Sequence, residues 1–196
     1  MLVYSHNLIG KTIHKYILDN LGFRLELRDL RYGCMKPDFA PKLIAIPHYK
    51  NESFEIISDM ILALQNTPLP VNSKQLKHFS AELGVVLHYI TDYFCYPHNN
   101  KRIDKMPVHF FYELNLDREL RKYVSSPLEV INNNLDLKAY NNINVSIIDF
   151  IELKHRQYMK ECPSLLNDVV YGLQCCYVVA IGIINSLIIQ GSHEAA

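Results

Sequence analysis

From Leu76 to Tyr93 the apolar side chains fall three or four residues apart: Leu76, Phe79, Leu83, Val86, Leu87, Ile90 and Tyr93. An α-helix places residues at that spacing on one side; a strand scatters them over both. Asn72 or Ser73 can cap this helix, and Pro97 ends the run. Leu8, Ile9, Ile13, Tyr16 and Ile17 repeat the same period, which predicts a first helix from about Ser5 to Asn20 with Ser5 as its cap. Further helices are expected from about Ser53 to Gln65, from just after Pro107 to about Val124, and over Val145 to Lys160 and Ser164 to Ile189. Gly33 to Pro41, with one glycine and two prolines, reads as a turn. Thr67-Pro-Leu-Pro70 is a break. The polar stretch Asn132 to Asn144 separates a short helix from the last two. No sustained period-two alternation and no internal repeat occur. The expected fold class is all-α: one multi-helix bundle domain spanning residues 1–196.

Charge narrows the partners. Lys and Arg number 20, Asp and Glu number 20, and the formal net charge is zero. Proteins that grip long nucleic acid electrostatically are usually basic, so no stable nucleic-acid complex is expected. The segment Val169 to Ile189 is long enough to cross a bilayer, but Gly172, Gln174, Gly182, Asn185 and Ser186 interrupt it. It reads as a central buried helix, so no transmembrane span is expected; membrane anchoring is the competing reading. The five cysteines include no C-x-x-C and no zinc-finger spacing, and read as reduced, mostly buried thiols. Met1 to His6 has neither a basic nor an apolar signal region, so with Met1 as the true start the expected location is cytoplasmic.

Histidine is the unusual residue: nine, against seven glycines. His88 and Asp92 are four apart in the helical run, so both project from one face and can clasp one cation. His109 and Glu113 repeat the arrangement after Pro107. His98 lies between the pairs, just past the helix end, where a chain break can turn it toward Asp92. The pairs sit among apolar neighbours, and a buried carboxylate without a partner is costly. A metal supplies that partner, and nitrogen and oxygen donors of this kind suit zinc. A buried His–carboxylate hydrogen-bond pair at each place is the alternative. Upstream, Asp38 lies in the proline-rich turn, His48 follows Pro47, and His6 opens the first helix. His14 competes with His6 on the same helix face, but two turns away; both cannot touch one ion. His78, His155 and His193 have no partner spacing and read as surface or capping residues.

Taken together, these residues resemble the ligand order of the zinc-dependent phospholipases C, which share an all-α fold with three-zinc single-strand nucleases. Leu87-His-Tyr-Ile-Thr-Asp92-Tyr-Phe-Cys-Tyr-Pro-His98 resembles the signature H-x-x-x-D-x(5)-H, and His109-Phe-Phe-Tyr-Glu113 its H-x-x-x-E partner. Lys36-Pro-Asp38 is similar to the loop that presents the family's Asp, and Ser5-His6-Asn-Leu-Ile9 to its N-terminal His helix. The resemblance runs from Met1 to about Glu119. It implies two or three zinc ions. Asp38, His48, His88 and Asp92 would hold the first; His98, His109 and Glu113 the second; His6 and a bridging Asp92 the third. In the family an N-terminal Trp also chelates the third ion. This chain has no Trp, and the Met1 amine and carbonyl are expected to replace it, since Leu2 is too bulky for ordinary Met removal.

The chemistry so implied is hydrolysis of a phosphate ester, a phospholipid head group or similar phosphodiester, by a metal-activated water, with Asp38 orienting or deprotonating that water. Phe39 follows Asp38 but Ala45 and Ile46 precede His48, so the family's choline-binding pattern is matched only in part. Tyr49, Tyr93, Phe94 and Tyr96 are candidates either to line a pocket or to fill the core. Two other readings stand beside the lipase: a nuclease or nucleotidase on the same fold, and a non-catalytic zinc-binding protein.

Overall fold

The computed structural model describes residues 1–101, 103, 105–126 and 146–194, and those residues are mostly helical with no strand among them. Eight α-helices follow in order: α1 (Val3–Leu21), α2 (Leu27–Met35), α3 (Pro41–Ile44), α4 (Lys50–Gln65), α5 (Ser73–Tyr93), α6 (Val108–Val124), α7 (Ile147–Tyr158) and α8 (Leu165–Glu194). Two 3₁₀ turns, Lys36–Asp38 and Tyr96–Asn99, interrupt the sequence where proline falls at the first or second position. The polar stretch 132–144, the short helix before it and the side chain of His193 lie outside the described residues.

The central helix is α5. From Leu83 to Tyr93 it is buried on every side, by α2, α4 and α8. Asn72 is its cap: the side chain accepts from the Gln75 amide at 3.0 Å. The apolar helix α8 packs against α1, α4, α5, α6 and α7, and Val169, Leu173, Cys175 to Val179, Ile183, Ile184 and Leu187 are buried in that contact. Residues 165–192 are long and apolar enough to cross a membrane, yet 72% of their most apolar window lies inside the protein. Four of the five cysteines are buried and all five are free thiols.

Two expectations fail locally. Ser5 does not cap α1. The helix starts at Val3, and Ser5 is buried one turn in, donating to Asp117 Oδ1 at 2.8 Å. Gly33 is not in a turn but inside α2, a helix too short and too charged (Arg28, Asp29, Arg31) to show a clear period. Its role is steric. A Cβ on Gly33 would collide with the Ala81 carbonyl, and one on Gly84 would come within 2.7 Å of the Cys34 nitrogen. Two glycines therefore let α2 and α5 touch backbone to backbone. That contact fixes where α2 ends, and so where Asp38, just beyond it, is delivered.

Candidate metal centre

Asp92 hangs from the last turn of α5, and everything else converges on it. Its two oxygens face two ways. Oδ1 lies 2.6 Å from the Met1 amine and 3.3 Å from His6 Nε2. Oδ2 lies 3.4 Å from His88 Nε2, 3.7 Å from His98 Nδ1 and 4.0 Å from His48 Nε2. A carboxylate divided in this way is placed to bridge two cations. One turn earlier on α5, His88 Nε2 is 3.9 Å from Asp38 Oδ1. From α6, His109 Nε2 meets Glu113 Oε1 at 2.8 Å, and His98 Nε2 lies 3.3 Å from His109 Nε2 and 3.5 Å from Glu113 Oε1. The Met1 amine is also 3.0 Å from Glu113 Oε1. The structure thus gathers Met1, His6, Asp38, His48, His88, Asp92, His98, His109 and Glu113 at one site. His14 is elsewhere, its Nε2 at 3.0 Å from the Leu25 carbonyl.

The tautomers are legible. His88 Nδ1 sits 2.8 Å from the Cys34 carbonyl, which can only accept, so Nδ1 carries the proton and Nε2 presents a lone pair to the site. Thr91 spends its hydroxyl proton on the Leu87 and His88 carbonyls. It therefore accepts from His6 Nδ1 at 3.3 Å, and His6 Nε2 also faces inward as a lone pair. Among the described residues six buried side-chain polar atoms have no hydrogen-bond partner: His6 Nε2, Asp38 Oδ2, His48 Nε2, His88 Nε2, His98 Nδ1 and, elsewhere, Ser58 Oγ. Five of the six belong to this one cluster. Each such orphan costs about 1–3 kcal/mol unless something occupies it. Lone pairs and carboxylate oxygens converging on one space fit a cation, and a set of imidazoles and carboxylates fits zinc.

Electrostatics agree. Burial pushes His88 well below the usual histidine range, helped by His6, and burial also lowers His48. Both rings are therefore neutral, the form that binds metal. Burial alone would raise Asp92, but the Met1 ammonium and His98 outweigh it and hold the carboxyl well below its ordinary value. Burial likewise opposes Glu113, which the same ammonium and His109 pull down. Asp38, at the edge, is raised by burial.

Met1, Asp38, His48, Asp92, His98, His109 and Glu113 line a cavity of about 380 Å³ together with Ile44, Ile46, Pro47 and Tyr49. Tyr93 and Phe94 do not reach it; both are fully buried core residues, and the Tyr93 hydroxyl is 2.9 Å from Ser53 Oγ. Tyr96 does not line it either; its hydroxyl accepts from Asn100 Nδ2 at 2.8 Å.

Three supporting residues escaped the sequence reading. Asp168, buried at the start of α8, accepts from the Tyr96 amide at 2.9 Å, the Tyr112 hydroxyl at 2.9 Å and the Tyr158 hydroxyl at 2.8 Å. It ties the His98 turn to the Glu113 helix. Burial pushes its carboxyl up to about 6 against the pull of those donors. His155 is not a surface or capping residue; it donates to Asn99 Oδ1 at 3.0 Å, beside His98, and burial lowers it to about 4. His78, in contrast, is exposed as expected. Cys95 is the third: buried, with burial holding the thiol well above its ordinary value, and close to His98 and Glu113. Cysteine in a chain without paired cysteine motifs gave no signal.

Helices α1, α5 and α6 and the connections between them bring imidazoles and carboxylates together in one cluster whose donors suit a metal ion. The chain belongs to the zinc-dependent phospholipase C family, whose model matches residues 5–165. It is therefore a zinc-dependent, phospholipase-like hydrolase by family. No curated protein sequence and no solved structure matches the chain.

Proposed function

We propose that the protein is a zinc-dependent phosphodiesterase of the phospholipase C type, acting on a phospholipid head group or a similar phosphodiester. One observation carries the reading: the five orphaned buried polar atoms that face one another around Asp92. Asp38, His48, His88 and Asp92 would hold one ion, and His98, His109 and Glu113 a second. His6, Asp92 and the Met1 amine would hold a third. Bound zinc supplies Lewis acidity and lowers the pKa of water.

The chain's own residues do the rest. His88 and His6, fixed by the Cys34 carbonyl and Thr91, keep their Nε2 lone pairs aimed inward. Asp38 is 22% exposed at the cavity edge with Oδ2 unpaired, so it can accept the proton of an attacking water there. Ile44, Ile46 and Pro47 line the cavity and offer apolar contact to an ester's organic half. The zero net charge supports a small or lipid ester over a long nucleic acid.

The test is hydrolysis by zinc-loaded protein of phosphocholine lipids, other phospholipids, single-stranded nucleic acid and bis-p-nitrophenyl phosphate. Release of a phosphorylated head group, abolished by Asp92→Ala, is the expected result. Turnover of single strands alone would move the protein to the nuclease reading, and full zinc loading without turnover of any substrate to the non-catalytic one. Zinc counting with Met1 as the first residue, against a chain extended before it, tests the amine: one ion fewer is expected in the extended form, and equal content would remove Met1 from the ligand set.

A further inference from the structure

Cys95 is the N-cap of the turn Tyr96–Asn99, and its side chain is wholly buried at the cluster. Its Sγ, a ring nitrogen of His98 and a carboxylate oxygen of Glu113 all lie within 4.8 Å of one another. The backbone around it is committed. The Cys95 amide donates to the Asp92 carbonyl at 3.0 Å, and the Cys95 carbonyl accepts from the His98 amide and from Asn99 Nδ2, each at 3.0 Å. Those bonds fix Cys95 between Asp92 and His98. Independently, His98 carries a ring nitrogen, Nδ1, that is shut off from solvent and has no hydrogen-bond partner, on a side chain only 10% exposed. The thiol thus lies beside a ring nitrogen of His98 and a Glu113 oxygen, while His98 Nδ1, 3.7 Å from Asp92 Oδ2, is still without a partner.

We propose that Cys95 is a sulfur ligand of the metal cluster, so that the ion held by His98 and Glu113 has a mixed nitrogen, oxygen and sulfur set. The inference rests on zinc binding as read above and extends it, since that reading has nitrogen and oxygen donors only. Zinc accepts a cysteine sulfur at about 2.3 Å and an imidazole nitrogen at about 2.0–2.1 Å, and sets that mix the two are common. The step balances simply. The Sγ–H proton passes to solvent as the zinc–sulfur bond forms, and no atom changes oxidation state. A thiolate donates more charge than a carboxylate, so this ion is held harder and polarises its other ligands less than the ion at Asp38. The two halves of the cluster then differ in role, one retaining and one activating.

The experiment is zinc K-edge X-ray absorption on the zinc-loaded full chain, with absorption spectra of the cobalt(II)-loaded chain beside it. Both are done in a Cys162→Ser background, because Cys162 is exposed and free to pick up metal by itself. The expected result is a sulfur shell near 2.3 Å amounting to one sulfur per cluster, and a near-ultraviolet sulfur-to-cobalt charge-transfer band. Both should vanish in Cys95→Ser and persist in Cys34→Ser. Bound zinc with only nitrogen and oxygen neighbours would overturn the proposal while leaving the zinc reading intact. A band that survives in Cys95→Ser would also overturn it. A chain that takes up no zinc would overturn both. Should Cys95→Ser fail to fold, the sulfur shell of the otherwise unchanged chain still decides.

Discussion

The imidazoles of His6 and His88 stack with their centroids 3.8 Å apart, and the Nε2 atoms of both face Asp92. Two charged rings could not rest so close in a buried site. Two neutral rings with converging lone pairs can, when a cation completes them. His88→Ala should abolish retention of the ion shared with Asp38 and His48, and His6→Ala should remove one ion and spare the others. Metal counting after exhaustive dialysis checks this; unchanged zinc in both variants would remove the rings from the ligand set.

Metal removal should cost stability. Bound zinc shifts the folding equilibrium by its affinity for the native state, roughly 4 kcal/mol when its free concentration is a thousandfold above the dissociation constant. Thermal unfolding with zinc and with chelator should differ by several degrees, and the gap should shrink in Asp92→Asn.

Asp168 is a positioning residue. Asp168→Asn keeps the shape but replaces one acceptor oxygen by a donor, leaving Tyr112 or Tyr158 without its partner. Zinc affinity at His98, His109 and Glu113 should fall by about tenfold, with little change at the site of Asp38 and His48. Tyr112→Phe should show a smaller loss in the same site. Equal weakening at both sites would mean that the effect is general destabilisation.

His155 gives a pH signature. Its ring titrates at about 4 in the fold against an ordinary 6.5. As pH drops below 6.5 the unfolded chain takes up a proton that the folded one refuses, so the fold loses stability down to about 4, by on the order of 3 kcal/mol in total. Asp168, raised to about 6 from 3.8, works in the opposite sense: its share is present at low pH and is lost as pH rises toward 6. Metal-free His155→Gln should therefore show a flatter fall in stability between pH 6.5 and 4, measured by urea unfolding. An unchanged slope would place the His155 proton elsewhere.

The α2–α5 crossing admits no side chain. Gly84→Ala should destabilise by about 2–3 kcal/mol, the cost of forcing backbone apart in a packed core, and should displace Asp38. The check is denaturant unfolding together with zinc content; a neutral Gly84→Ala would show that the crossing can yield.

What could be read from the chain was what repeats. The three-and-four spacing along α5 identified the central helix, and the i, i+4 pairs His88–Asp92 and His109–Glu113 pointed to the middle of the candidate site, because a helix turns those spacings directly into geometry. Candidate ligands that arrive by tertiary packing were legible only through family resemblance: Asp38 sits just past the end of α2, which two glycines seat against α5, and His48 on the short connection before α4. Asp168 was invisible for the same reason. It lies 72 residues from Tyr96, and no local pattern announces a bond of that reach. Ser5 misled because a serine before an apolar run signals a cap, and here a distant Asp117 claims its hydroxyl instead.

The apolar wall of the cavity is drawn from a single short stretch: Ile44, Ile46, Pro47 and Tyr49. The floor, by contrast, is assembled from parts of the chain more than a hundred residues apart, so almost any change there disturbs several parts at once. The wall can be rewritten by substituting one short stretch, with only His48 held constant. On the proposed function, a graft of this one segment would change which ester is accepted while leaving the candidate metal ligands other than His48 untouched.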